Sequence, residues 1–248
     1  MKMSILMASY NCAKYIGEAI QSVIGQTHDN WEIIVVDDGS KDNTKGVVDK
    51  FLNDKINYYR QENGGYASAL RSAVDLAVGD VYGILDSDDC LQTDAIESVI
   101  GEFTESVGCV YSTYKLYSED WSCEFFRPNN EMPCEFDKDK NSLTHSLHNV
   151  AHFKAFTKNA YDKCEGFDLN IKASVDKDII YKLEEHTDLK FINKCLYKQR
   201  IRDDNMTMSN IRNDVSKHWT MKVRSNAIFR RIKNRRFDLL DNSVLLYK

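Results

Sequence analysis

Two groups of carboxylates stand directly behind apolar runs. Asp86-Ser87-Asp88-Asp89 follows Val81-Tyr82-Gly83-Ile84-Leu85, and Asp37-Asp38 follows Trp31-Glu32-Ile33-Ile34-Val35-Val36. Acids crowded at the end of a buried strand repel one another and lose solvation unless a cation neutralises them. Hard oxygen ligands suit Mg²⁺ or Mn²⁺, and such ions commonly hold substrate phosphates as well. The alternative for the first group is a solvated turn whose Asp caps a helix starting near Thr93. In the second, a carboxylate can accept hydrogen bonds from a base N–H or a ribose hydroxyl; the alternative is an Asx-turn before Ser40 to Thr44. Together with the end of the first apolar run, the two groups point to a nucleotide site.

Further along, Asp176 opens an amphipathic pattern (Val175, Ile179, Ile180, Leu183), where a helix N-terminus favours an ionised carboxylate. A carboxylate so placed can serve as a general base, with helix capping as the alternative. Asp178 lies four residues before Lys182, a spacing that predicts a structural ion pair. His152 sits in an apolar context, where a neutral imidazole is either a metal ligand or a packed side chain. Trp31, Trp121 and Trp219 read as core or helix anchors; Trp121, in a variable loop, also has the shape of a stacking platform for a ligand ring.

These groups must be positioned by a regular scaffold, and the pattern predicts one. Strands are expected at Ser4–Ala8, Trp31–Val36, Ile56–Tyr59 and Val81–Leu85, with helices over 15–24, from Ser40 to Phe51 and over 66–78. Strand and helix alternate about every 25 to 30 residues, the signature of a doubly wound, mostly parallel α/β sheet, in which ligands bind at the carboxyl ends of the strands. Later strands are expected at Cys109–Tyr117, over 150–157 and at Leu189–Ile192, a helix over 175–185, and a polar loop over 120–141. The expected organisation is one domain over 1–200, with a nucleotide-binding half (1–108) and a second half (109–200), followed by a basic, mostly helical extension over 201–248.

The chain of 248 residues is 42% hydrophobic and 29% charged with two prolines, which excludes a disordered or low-complexity protein. No run approaches the ~20 apolar residues of a membrane span. The N-terminal apolar stretch is too short for a signal peptide and reads as a first strand. Seven scattered cysteines without a Cys-x-x-Cys pair give neither a zinc site nor a disulfide framework, so a cytoplasmic location is expected. Residues 211–236 carry nine Lys or Arg against one acid, a formal +8 that leaves −13 for the remainder of a chain at −5. An acidic body argues against a nucleic-acid partner. The basic segment is expected either to lie on an anionic surface, peripherally on a membrane or on a polysaccharide, or to pack on the acidic body.

Ala8-Ser9-Tyr10-Asn11, Gln26-Thr27, Val35-Val36-Asp37-Asp38-Gly39-Ser40-x-Asp42-x-Thr44, Asn63-Gly64-Gly65 and Leu85-Asp86-Ser87-Asp88-Asp89 resemble, in order and spacing, the family 2 inverting glycosyltransferases of the GT-A fold. His152 to Thr157, Gly166-Phe167-Asp168 and Val175-Asp176-Lys177-Asp178 are similar to the glycosyltransferase modules of bacterial chondroitin and hyaluronan synthases. The resemblance implies an inverting glycosyltransferase that moves a hexose or N-acetylhexosamine from a UDP-sugar to a saccharide or lipid-linked hydroxyl acceptor, with Mn²⁺ or Mg²⁺ as cofactor. It implies a substrate-binding set of Ala8, Tyr10, Asp38, Asn63, Gly65, Asp86 and Ser87, in which Tyr10 packs on uracil and Asp38 accepts its N–H. Asp88 corresponds to the metal ligand, Asp89 is placed to share or take over that role, and His152 completes the metal shell. Asp176 falls on the catalytic base, with Val175 where the family has a Glu. A phosphatase of the haloacid dehalogenase type using Asp86-x-Asp88 is the rival enzyme, although its motif usually follows the first strand; an inactive nucleotide-sugar-binding module is the rival binder.

Overall fold

In the computed structural model, residues 1–125, 150, 152–202 and 215–240 are described. The loop expected over 120–141 lies largely outside them, as do both prolines, Cys134 and the first residues of the basic segment.

Nine strands form one sheet among the described residues: β1 (Met3–Ser9), β2 (Trp31–Asp37), β3 (Ile56–Arg60), β4 (Val81–Ile84), β5 (Cys90–Leu91), β6 (Val107–Tyr117), β7 (Glu124–Phe125), β8 (Lys154–Thr157) and β9 (Asp188–Arg200). Their order is β3-β2-β1-β4-β8-β6-β9-β5, with β7 on β6. The first four are parallel. β8 then runs antiparallel to β4 and β6, β9 is parallel to β6, and β5 and β7 pair antiparallel. The expected α/β architecture is present, with a sheet that is mixed rather than strictly parallel in detail; periodicity marks a strand but not its direction.

Helices α1 (Ile16–Ile24), α2 (Thr44–Val48) and α4 (Ala95–Ile100) cover one face; α3 (Tyr66–Leu76), α5 (Lys158–Lys163), α6 (Val175–Glu184) and α7 (Val215–Lys233) cover the other. The pleat divides the strand residues between them. Ile5, Met7, Ile33 and Val35 join the first core, while Leu6, Ile34 and Val36 join the second. All seven residues of β2 are buried, as a strand covered on both sides requires. In α1, Ile16, Ala19, Ile20 and Val23 are buried at helical spacing, and Gly25 ends it.

The chain steps outward from β1 to β3 and then returns to place β4 on the other side of β1. Strand order reverses there, which opens a crevice at the carboxyl ends of β1 and β4. α7 belongs to the body: Val223, Ala227 and Arg231 are fully buried against α6.

Candidate active site

Tyr10, Asp38 and Asp86 sit at the ends of β1, β2 and β4, around that crevice. The Asp38 amide donates to the Ser9 carbonyl at 2.8 Å, which joins the ends of β1 and β2. The Asp38 carboxylate is almost fully buried and accepts from the Gly64 and Gly65 amides and from Gln61 Nε2, each at 2.8 Å. Three of its lone pairs are thereby engaged, and Asp38 fixes the 63–65 turn. That turn leads into α3 through Gly65, whose φ of +87° is open to glycine at little strain. Asp37 is structural, taken up by the Ser40 amide, Tyr58 and Arg60. Tyr10 is 46% exposed, Asn63 and Gly65 are exposed and Ala8 is half-buried, so together they form the open rim.

Beyond β4 the carboxylates diverge in role. Asp86 accepts from Tyr66 Oη at 2.7 Å, and its amide donates to Tyr197 Oη at 3.2 Å. Burial, then the negative charge of Asp88, pushes the Asp86 carboxyl up to about 6. Asp89 is buried; its two oxygens accept from Tyr197 Oη at 2.8 Å and from the Arg200 amide at 2.7 Å. Burial, then Asp88 and Asp86, raise it well above the ordinary value. Asp88 is partly accessible, with Arg202 Nε 3.3 Å from Oδ2. Ser87 is buried beside Cys12.

Asp176 reaches the same place from α6. The β4–β8 register sets Lys154 opposite Ile84, two residues before Asp86, and Lys154 Nζ donates to Asp176 Oδ2 at 2.8 Å. The Lys154 side chain is 1% accessible and that of Asp176 is 38%, so the ion pair has a buried anchor and an open carboxylate. Burial alone would raise the Asp176 carboxyl, but the charge and hydrogen bond of Lys154, then His152 and Lys177, hold it well below the usual range. Asp178 is instead buried and paired with Lys182 at 3.0 Å, and Lys182 also donates to the Gly166 carbonyl at 2.8 Å. The predicted helical pair is present.

His152 stacks on Tyr197, centroids 4.5 Å apart, with Tyr114 at its edge. Trp121 has one ring face under the Arg200 guanidinium at 4.0 Å, and its Nε1 donates to Glu18. Lys154, Tyr66, Tyr197, Arg200 and Arg202 escaped the sequence reading. Only Lys154 carried a signal there, as a lone charge within the apolar run from Phe153 to Phe156.

Among the described residues, no three His, Cys, Asp or Glu side chains gather around one point. The expected set of Asp88, Asp89 and His152 is thus not assembled: Asp89 is occupied by Tyr197 and Arg200, and His152 lies flat on Tyr197. The donor chemistry nevertheless fits a hard divalent cation. Mg²⁺ typically takes one or two carboxylates and completes its shell with water and phosphate oxygens, and Asp86 and Asp88 are adjacent acids that repel each other.

Residues 4–164 match the model of Glycosyl transferase family 2. A chondroitin synthase of Pasteurella multocida is 34% identical over 243 residues, covering 96% of this chain and 24% of that protein. A hyaluronan synthase of the same species is 34% identical over 222 residues, covering 88% and 22%. The chain spans about a quarter of the length of these relatives. Among solved structures, S. aureus TarS in complex with UDP-GlcNAc superposes with a TM-score of 0.71 at 21% identity, covering 84% of this chain and 61% of that one. A mannosyltransferase, PcManGT from Pyrobaculum calidifontis in complex with GDP-Man and Mn²⁺, gives 0.67 at 16% identity, covering 88% and 62%.

Proposed function

This chain belongs to glycosyl transferase family 2 and has the GT-A fold, and from that premise we propose an inverting transfer of a hexose or N-acetylhexosamine from a UDP-sugar to a hydroxyl acceptor. The haloacid-dehalogenase reading lapses with the family. The observation that carries the proposal is the meeting of two unlike carboxylate environments in one crevice. Asp86 and Asp88 are crowded at the end of β4, and Asp176 is ionised and accessible on a buried lysine. The chondroitin and hyaluronan synthases among the relatives support a role in polysaccharide synthesis with a saccharide acceptor, lipid-linked or free.

In this reading Tyr10 packs on the uracil, and Ala8, Asn63 and Gly65 line the rim on which the nucleoside rests. Asp38 holds the 63–65 turn and has a lone pair left for the base. Asp86 and Ser87 meet the ribose side. Asp88, with Asp86 next to it, would hold Mn²⁺ or Mg²⁺, with His152 behind and Asp89 serving as a buried brace. The ion, when bound, supplies Lewis-acid stabilisation of the departing diphosphate. Asp176 accepts the proton of the acceptor hydroxyl as that oxygen bonds to the anomeric carbon. The bond from that carbon to the diphosphate oxygen breaks with its electron pair, and UDP leaves. Lys154 pins one carboxylate oxygen so that the other meets the acceptor.

UDP binding is expected to require Mn²⁺ or Mg²⁺ and to weaken strongly in Asp88→Asn. Calorimetry with excess chelator tests this; undiminished UDP affinity would refute the metal assignment.

A further inference from the structure

Ser174, from which α6 starts, departs from local preference twice. Its φ of +61° and ψ of 29° lie in the left-handed region, a strained setting for a residue with a β-carbon. A serine before a helix commonly caps an amide of the first turn, yet the Ser174 side chain makes no such bond. Its Oγ lies instead 2.9 Å from Thr220 Oγ1, on α7. Lys177 Nζ donates to the same Thr220 oxygen at 3.3 Å. One hydroxyl of α7 thus gathers residues on both sides of Asp176. Its own place is fixed, because Val223 and Ala227, on the same side of α7, are fully buried in the core shared with α6.

We infer that Thr220 is a positioning residue for Asp176: its hydroxyl holds the first turn of α6 in the geometry that presents the open oxygen of Asp176 to the acceptor. This rests on the reading of Asp176 as the base.

The turn has an alternative. With Ser174 in the extended region its own hydroxyl would cap α6 and the strained φ would be relieved, so local preference runs against the observed turn. The bond to Thr220 opposes that relapse. A change between the two states rotates the peptide that leads into Val175 and swings the Cα–Cβ direction of Asp176. Lys154 does not prevent it, since it holds one carboxylate oxygen, about which the carboxylate can pivot. A base works only within hydrogen-bond reach of the proton it takes, and a displacement of about 1 Å is costly to the rate. The donor side is carried by Tyr10, Asp38, Asp86 and Asp88, at the ends of β1, β2 and β4, so nucleotide binding is independent of this turn.

The test uses the full chain with Thr220→Val, which keeps the shape and removes the hydroxyl, and Thr220→Ser, which keeps the hydroxyl. Amide hydrogen exchange reports the turn itself: residues 175–178 are expected to exchange about tenfold faster in Thr220→Val, with Ile179 to Leu183 unchanged. For turnover, UDP release is followed with UDP-hexoses and UDP-N-acetylhexosamines, Mn²⁺ and oligosaccharide acceptors. Thr220→Val is expected to lose about 10- to 100-fold in kcat while its UDP affinity, measured by calorimetry, holds within about twofold. Thr220→Ser retains most of the rate, and Thr220→Ala serves if Thr220→Val does not fold. A merely structural role would lower the melting temperature without this split. Added to Asp176→Asn, Thr220→Val should cost no more than about twofold further, because the position of an absent base no longer matters. Unchanged exchange over 175–178, unchanged kcat in Thr220→Val, or the full loss repeated in the Asp176→Asn background overturns the inference. Equal turnover by Asp176→Asn and the unaltered chain is a different failure: it removes the base reading itself, whatever Thr220 does.

Discussion

At the residue scale the division of labour between Asp176 and Asp178 is the sharpest consequence of the structure. Both lie in the first turn of α6, two positions apart, yet one is open on a buried lysine and the other closed in a pair with Lys182. Asp176→Asn is expected to keep the fold and UDP affinity while transfer falls by ~10²–10⁴, the usual share of a positioned base. Asp178→Asn has the opposite profile. Breaking a buried pair lowers the melting temperature, while kcat at saturating donor stays near that of the unaltered chain. Melting curves and kcat for both variants, with donor affinity measured separately, check this. Loss of turnover in Asp178→Asn alone would move the base by two residues. The acids were legible in the sequence because each follows an apolar run or opens a helix. Lys154 was not legible as their partner, since only the register of β8 on β4 brings it beside Asp86.

Among the elements, the parallel half of the sheet could be read in advance. β1, β2 and β4 are short runs buried on both faces, and each ends in a turn-former or an acid that breaks the run. β9 was foreseen only as Leu189–Ile192, because Asn193 and Lys194 interrupt the apolar pattern; the strand continues to Arg200 through irregular pairing with β6. That continuation delivers Tyr197 and Arg200 to Asp89, so the brace of the site was hidden where the periodicity fails. α7 matters to the site through α6. Arg231 is fully buried, bonded to Glu184 and Glu185 and to the carbonyls of Tyr181 and Leu239. Arg231→Ala would take the buried guanidinium away from Glu184 and leave Glu185 with Arg230, a loss of ~3–5 kcal/mol. Thermal denaturation is expected to register a fall of roughly 10 °C for a chain this size. An unchanged melting temperature would show that α7 does not brace α6.

For the whole molecule, the uneven charge resolves into two parts. Arg230 and Arg231 are neutralised by Glu184 and Glu185, so the inner side of the basic segment packs on the acidic body, while Arg236 pairs locally with Asp238. Lys217, Lys222 and Lys233 remain exposed on α7. Among the described residues, no helix is long and apolar enough to cross a membrane. The acidic crevice lies at the carboxyl ends of the parallel strands. A cavity of about 1070 Å³ opens at the opposite ends of the central strands, between Asp80, Ser106, Thr157 and Glu184, and contains none of the candidate site residues. The central claim is transfer from a UDP-sugar with Asp176 as base. It is tested most directly by incubating the full chain and Asp176→Asn with UDP-hexoses, UDP-N-acetylhexosamines and GDP-mannose, plus Mn²⁺ and a panel of oligosaccharide acceptors. The released nucleotide is then quantified. The account predicts acceptor-dependent UDP release from at least one UDP-sugar, abolished by chelator and ~10²–10⁴-fold slower in Asp176→Asn. Equal release by the two proteins, or release from GDP-mannose alone, would contradict it.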